Sequence, residues 1–282
     1  MKIVIISDVK GQTKSIIPYG LHLAKYLESE VDILHVVDPR IQQGVSSMYG
    51  DSQSITPGKK MSHQEIMQRE KQEAEKELDD LLSREASRLN YPLKINVIVQ
   101  EEEIGKGLQE ADEKDSEAIF VINKEADHYM FESRKDITTV CKELNGITLL
   151  VPPGKEFMKI ENVLLPADFE DQDFEGYPKV ANFLNQFHPV INAIGEEGQR
   201  EVPQANSWLS VVSGVLENST VNWQMLTSEN FEHDFIDFVG MVEPDLTVVF
   251  EKPQGLIDSI FKKELIVKVL DQTDTPVLFY SK

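Results

Sequence analysis

Apolar and polar positions along the chain alternate between two kinds of segment. Short runs rich in Val, Ile and Leu read as strands buried on both faces, as in a parallel sheet. Between them lie stretches whose apolar residues recur at helical spacing. The last forty residues show the unit most clearly. Leu246 to Phe250 is a strand, a helix is predicted over 260–272 with Leu265, Ile266, Val269 and Leu270 on its inner face, and Val277 to Tyr280 is the next strand. Thr275 and Pro276 stop that helix.

The same unit occurs earlier: a strand over 117–123, a helix over 136–144 ended by Asn145 and Gly146, and a strand over 147–151. An offset of 128 carries Glu117 onto Asp245, Asp136 onto Glu264 and Leu150 onto Leu278, which reads as an internal duplication in one register. At the start of each copy the offset is 160. The strand from Lys2 to Asp8 then matches the strand from Asn162 to Asp168, and Pro18 matches Pro178 near the start of each following helix. Leu21, Leu23, Ala24 and Leu27 in one copy, with Val180, Ala181, Leu184 and Phe187 in the other, give those helices a core face.

The second strands are predicted over 31–37 and 190–194, the third over 93–99 and 221–227. Helices follow over 101–114 and 229–241. Between them the first copy holds an excess of about thirty residues, the difference between the two offsets. It consists of a Gly, Ser and Gln-rich loop over 40–61 and a long helix opened by Ser62 and Glu65 as a capping box. Met67, Ala74, Leu78, Leu81 and Leu89 form its inner stripe, and Asn90 and Pro92 end it. The second copy has a shorter helix there, near 206–216.

Each copy thus reads as five strands alternating with helices. The fold class is α/β, two doubly wound five-stranded parallel-sheet domains packed as a pseudo-dimer. The domains run over 1–153, with an extended loop and helix at 38–90, and over 157–282.

Composition narrows the function. The chain has 49 acidic and 28 basic residues, a net charge of −21. A basic footprint for nucleic acid or anionic membrane is missing, so neither is an expected partner. No apolar run approaches a membrane span, and strand residues begin directly after Met1. The single cysteine, Cys141, is read as a small buried hydrophobe in a reduced, cytoplasmic setting.

Asp8 and Asp168 each close a first strand, at the carboxyl ends where open α/β sheets bind ligands. In this arrangement the chain resembles the universal stress protein family in its tandem form. The segment Lys252-Pro-Gln-Gly-Leu-Ile-Asp-Ser-Ile-Phe, followed by Thr-Pro-Val-Leu-Phe, is similar to the end of such a domain. The resemblance implies an adenine nucleotide alpha hydrolase-like fold, a first-strand Asp that meets the base end of a nucleotide, and pairing through the last strands, here 147–151 and 277–280, which also closes an edge that would otherwise be open. Nucleotide-binding members carry a Gly-x-x-Gly-x9-Gly-Ser/Thr run after the fourth strand, where bare backbone approaches phosphate. Here only Gly255 remains of it. Lys252 and Glu264 stand near the other positions, and the first copy has no glycine between Gly107 and Gly146.

The expectation is therefore a protein without catalytic residues, metal or resident cofactor, with degenerate nucleotide sites and an interaction or regulatory role through an unidentified protein partner. Association of two chains is left open. The alternative is an ATP-binding protein with slow ATPase activity in the first copy. There Asp8, Lys10, Thr13, Lys14 and Lys124 gather near strand ends, and Asp168 and Gly255 are the corresponding candidates of the second copy. Of the histidines, His35 is read as a core or edge residue of a strand and His233 as part of a solvated face. Gly195 to Gly198 is read as a turn, Gly105 and Gly107 as a helix opening, Gly214 as held by packing, and Trp208 and Trp223 as core or interface residues.

Overall fold

The computed structural model describes residues 1–11, 13–39, 63–126, 130–167, 177–196, 202–216, 218–227, 230–251 and 265–281. The loop at 40–61, the cap at Ser62, Asp168 and Gly255 lie outside the described residues.

The elements follow one another as β1 (Lys2–Ile6), α1 (Ile17–Tyr26), β2 (Glu30–Val37), α2 (His63–Leu89), β3 (Ile95–Glu101), α3 (Ile104–Lys114), β4 (Ile119–Asn123), α4 (Arg134–Cys141) and β5 (Ile147–Val151). The second series is β6 (Asn162–Pro166), α5 (Tyr177–Leu184), β7 (Val190–Glu196), α6 (Val202–Val215), β8 (Thr220–Leu226), α7 (Phe231–Val242), β9 (Leu246–Glu251), α8 (Leu265–Gln272) and β10 (Val277–Ser281).

The strands form one sheet in the order β3-β2-β1-β4-β5-β10-β9-β6-β7-β8. Within each series all pairings are parallel. The two series meet through β5 and β10, which pair antiparallel with Leu149 opposite Leu278 and Leu150 opposite Val277. The halves are thereby related by an approximate two-fold axis through that pair, and each closes the edge the other would leave open.

Each face of the sheet is covered by helices. Ile17, Leu21 and Ala24 of α1, Leu78 of α2, Val180 of α5 and Trp208 of α6 are buried on one face. Leu108 of α3, Cys141 of α4, Phe235 of α7 and Val269 of α8 are buried on the other. Met67, Ala74, Leu78 and Leu89 of the long helix are buried as its stripe requires, and Leu81 is half-buried. Asn90 ends that helix in the left-handed region at φ 45°, and the Lys25 ammonium caps the Leu89 carbonyl at 2.5 Å.

The halves do not share one register. Ile119 and Leu246 occupy the same face and rung, 127 positions apart, and Leu149 matches Leu278, 129 apart. Ile95 matches Val221, 126 apart, through their partners Val31 and Ile191. Only α4 and α8 keep 128, with Ile137, Thr138 and Cys141 matching the buried Leu265, Ile266 and Val269. The reason is the pleat. A one-residue shift turns every side chain of a strand to the opposite face, so a uniform 128 would match Leu150, in one core layer, to Leu278, in the other.

Three local expectations change as well. Glu101 closes β3, paired with Val37, and the helix after it starts only at Ile104. Gly195 sits within β7, paired with Met225, because the ladder runs on to Glu196. Gly214 has nothing within 4 Å of where a Cβ would stand, so no packing contact demands a glycine there.

Candidate functional site

The carboxyl ends of β1, β2 and β4 converge on a polar cluster built around Asp8. Its side chain is almost fully buried and accepts three hydrogen bonds. Ser15 Oγ donates at 2.6 Å, the backbone N–H of Ile16 at 3.0 Å and Asn123 Nδ2 at 2.9 Å. Asn123 also donates to Thr13 Oγ1 at 3.0 Å. Ser15 Oγ accepts in turn from the N–H of Ile17, in the first turn of α1. Asp8 and Ser15 together therefore occupy the amino end of α1, the place where exposed N–H groups and the helix dipole would attract an anion. Burial pushes the Asp8 carboxyl above its usual range, against the opposing pull of these three donors.

On β2, the ring of His35 is fully buried and its Nδ1 lies 3.1 Å from Ser7 Oγ. Burial, helped by the charge of Lys10, pushes this imidazole down to about 4. It is a neutral core histidine near neutral pH, the core place being one of the two the sequence left open.

Lys10, from the turn after β1, reaches the long helix. Its ammonium lies 3.1 Å from Glu73 Oε2 and 3.0 Å from Glu77 Oε1, one helical turn apart on α2. Burial works against its charge, but Glu77 and Glu73 outweigh it, and the pKa is raised overall. Lys14 is exposed and lies across Gly154, whose φ of +70° and missing Cβ leave room for the lysine stem.

Lys124 takes a different course. Its ammonium is buried and donates to the carbonyls of Leu270, at 3.2 Å, and Thr273. It caps the end of α8 in the other half of the molecule. Burial lowers its pKa, with Asp274 acting in the opposite sense. Next to it Arg134 meets Asp271 at 2.5 Å, so two cations of the first half hold the last turn of α8.

Asp8, Thr13 and Lys10 thus come together with residues that the sequence did not single out: Ser7, Ser15, Asn123, Glu73 and Glu77. Lys14 and Lys124 are engaged elsewhere. One signal was available: Asn123 is a polar residue closing an otherwise apolar strand, just as Asp8 closes its own run.

The second half differs. By the strand register, Ala167 stands where Ser7 does, Gly195 where His35 does and Phe250 where Asn123 does. Beneath them Leu165, Val180, Ile191, Val212, Val248 and Phe250 line a small apolar void of the core. Asp168 and Gly255 lie outside the described residues.

Among the described residues, His233, Asp234 and Asp237 stand within 4.8 Å of one another on α7. Their side chains are mostly exposed, with ring-to-carboxylate distances of 3.5 and 3.3 Å, as on a solvated helix face. No described helix is long and apolar enough to cross a membrane. Burial pushes the Cys141 thiol up to about 12, so it is an inert core residue at neutral pH.

No family model and no curated protein matches the chain. Solved structures do. A universal stress protein from Archaeoglobus fulgidus DSM 4304 superposes with a TM-score of 0.60 at 12% identity, covering 100% of this chain and 96% of that one. A protein of unknown function from Pseudomonas aeruginosa PAO1 gives 0.57 at 10% identity, covering 99% and 92%. A structure from Pseudomonas aeruginosa UCBPP-PA14, provisionally assigned to the universal stress proteins, gives 0.57 at 11% identity with the same coverage. The likeness is one of fold: the chain has the architecture of these proteins from end to end.

Proposed function

We propose that this chain, which carries the universal stress protein fold, acts in the cytoplasm as a non-catalytic interaction or regulatory protein of a stress response, with degenerate nucleotide sites. One observation carries the reading. The groups that would receive a polyphosphate at the first-half strand ends are already held by the protein's own side chains. The Asp8 carboxylate takes the amino end of α1, and Lys10 is held by Glu73 and Glu77.

A phosphate approaching Lys10 would meet two carboxylates. Each unit of like charge at 4 Å costs about 4 kcal/mol at the effective dielectric of a protein surface. In the second half, Phe250 and Ala167 offer no donors in place of Asn123 and Ser7. What remains for function is surface, offered to a protein partner.

A second reading is favoured by the convergence of Asp8, Thr13 and Asn123 at strand carboxyl ends. Under it the first half binds ATP and hydrolyses it slowly. Native mass spectrometry of the purified chain, with phosphate release measured in millimolar Mg-ATP, separates the two. The first reading expects the bare polypeptide mass and release no faster than buffer. Retained adenine nucleotide, lost in Asp8→Ala or Lys10→Ala, would establish the second.

A further inference from the structure

We infer that the outer edge of β8 pairs antiparallel with the β8 edge of a second copy of this chain, joining two ten-stranded sheets into one. Among the described residues β8 ends the sheet and is bonded along its full length to β7, from Thr220 opposite Val190 to Leu226 opposite Glu196. The N–H of Thr220 donates to the Pro189 carbonyl on the β7 side. By the alternation of a strand, Thr220, Asn222, Gln224 and Leu226 turn their backbone groups toward β7. Val221, Trp223 and Met225 turn theirs outward.

Open edges are normally protected by charge. The opposite edge follows that rule: β3 carries Glu101, bridged to Lys71 at 3.7 Å, and beside it Lys94 meets Glu30 at 2.6 Å. The β8 side departs from it. From 202 to 226, spanning α6 and β8, the sequence holds one charged residue, Glu217, in a chain that is 27% charged. Depletion of charge marks the centre of protein interfaces. On a molecule of net charge −21 this is the stretch where two copies approach with least repulsion.

The strand is also complementary to itself. With Trp223 opposite Trp223 of the second copy, Val221 falls opposite Met225. All three outward-turned residues then exchange backbone hydrogen bonds. Val221, Trp223 and Met225 pack toward the same core layer, so that layer continues across the junction. On the other face the exposed amides of Asn222 and Gln224 fall opposite each other and can bond across the strands. Val211 of α6, 45% exposed, lies on the helix that covers this end of the sheet. The molecule already uses the same device internally, where β5 meets β10.

Light scattering coupled to size exclusion, run on the full chain from ~1 to ~100 µM to span micromolar affinities, tests this. Twice the chain mass of 32.0 kDa is expected at the upper end. Asn222→Lys with Gln224→Lys places like charges opposite each other, at side chains already in solvent. It should give the single-chain mass throughout, with a melting temperature close to that of the wild-type chain at the dilute end, where both are single chains. Val221→Pro, which removes one outward N–H and none of the β7 ladder, should also give the single-chain mass. A wild-type chain that stays at the single mass overturns the inference, as do folded variants that stay at the double mass.

Discussion

The ammonium of Lys124 donates to the carbonyl of Leu270 at 3.2 Å across 146 residues of chain. Lys124, a candidate nucleotide contact from its place after the fourth strand, here caps α8 between the halves.

Replacing Lys124 with Met keeps the stem and removes the donor. The carbonyls of Leu270 and Thr273 would then be buried without it, and a loss of about 1–3 kcal/mol is expected. Denaturant unfolding should show it as a lower midpoint. Hydrogen exchange should show faster opening in α8 than in α3, which the cap does not touch.

Protonation of His35 links stability to pH. Its folded pKa, about 4, lies below the usual 6.5, so its contribution is present above 6.5 and is lost as pH falls to about 4. A fall from 6.5 to about 4 corresponds to roughly 3 kcal/mol. Asp8 acts with the opposite sign. Its raised folded pKa makes its contribution greatest at low pH and lost as pH rises through that value. Both are present in wild type, so the comparison is with His35→Gln. That variant should be less stable near neutrality and lose less stability between about pH 6.5 and pH 4, measured by urea midpoints.

Two glycines in helices should respond in opposite directions to alanine. Gly240 in α7 has nothing within 4 Å of an added Cβ, so Gly240→Ala should stabilise by about 0.5–1 kcal/mol through helix propensity. At Gly20 in α1 the added atom would stand 2.5 Å from Cδ1 of Ile5, which is fully buried. Gly20→Ala should cost about 1–3 kcal/mol by overpacking. Thermal melts of both variants check the pair.

The strands were legible because each is a short β-branched run bounded by turn residues, and the β5–β10 junction was expected from the family resemblance, in keeping with the need to close an edge. The exact register was not. The offset of 128 suits α4 and α8, yet Ile119 matches Leu246 and Leu149 matches Leu278 at offsets of 127 and 129. Letters that are all Val, Ile and Leu do not mark which face each one occupies. Of the site, Asp8 stood out as an acid ending an apolar run. Glu73 and Glu77 did not, because on a helix dense with Glu and Lys nothing in the sequence shows which carboxylates turn inward 63 and 67 residues from Lys10. Gly255 and Asp168 lie outside the described residues.

The most direct test of the self-occupied cleft is calorimetric titration of Mg-ATP into the intact chain, alongside Glu73→Gln with Glu77→Gln. The expected result is no saturable heat for the wild-type chain at millimolar nucleotide. Saturable micromolar binding by the wild-type chain, abolished by Lys10→Ala, would contradict it.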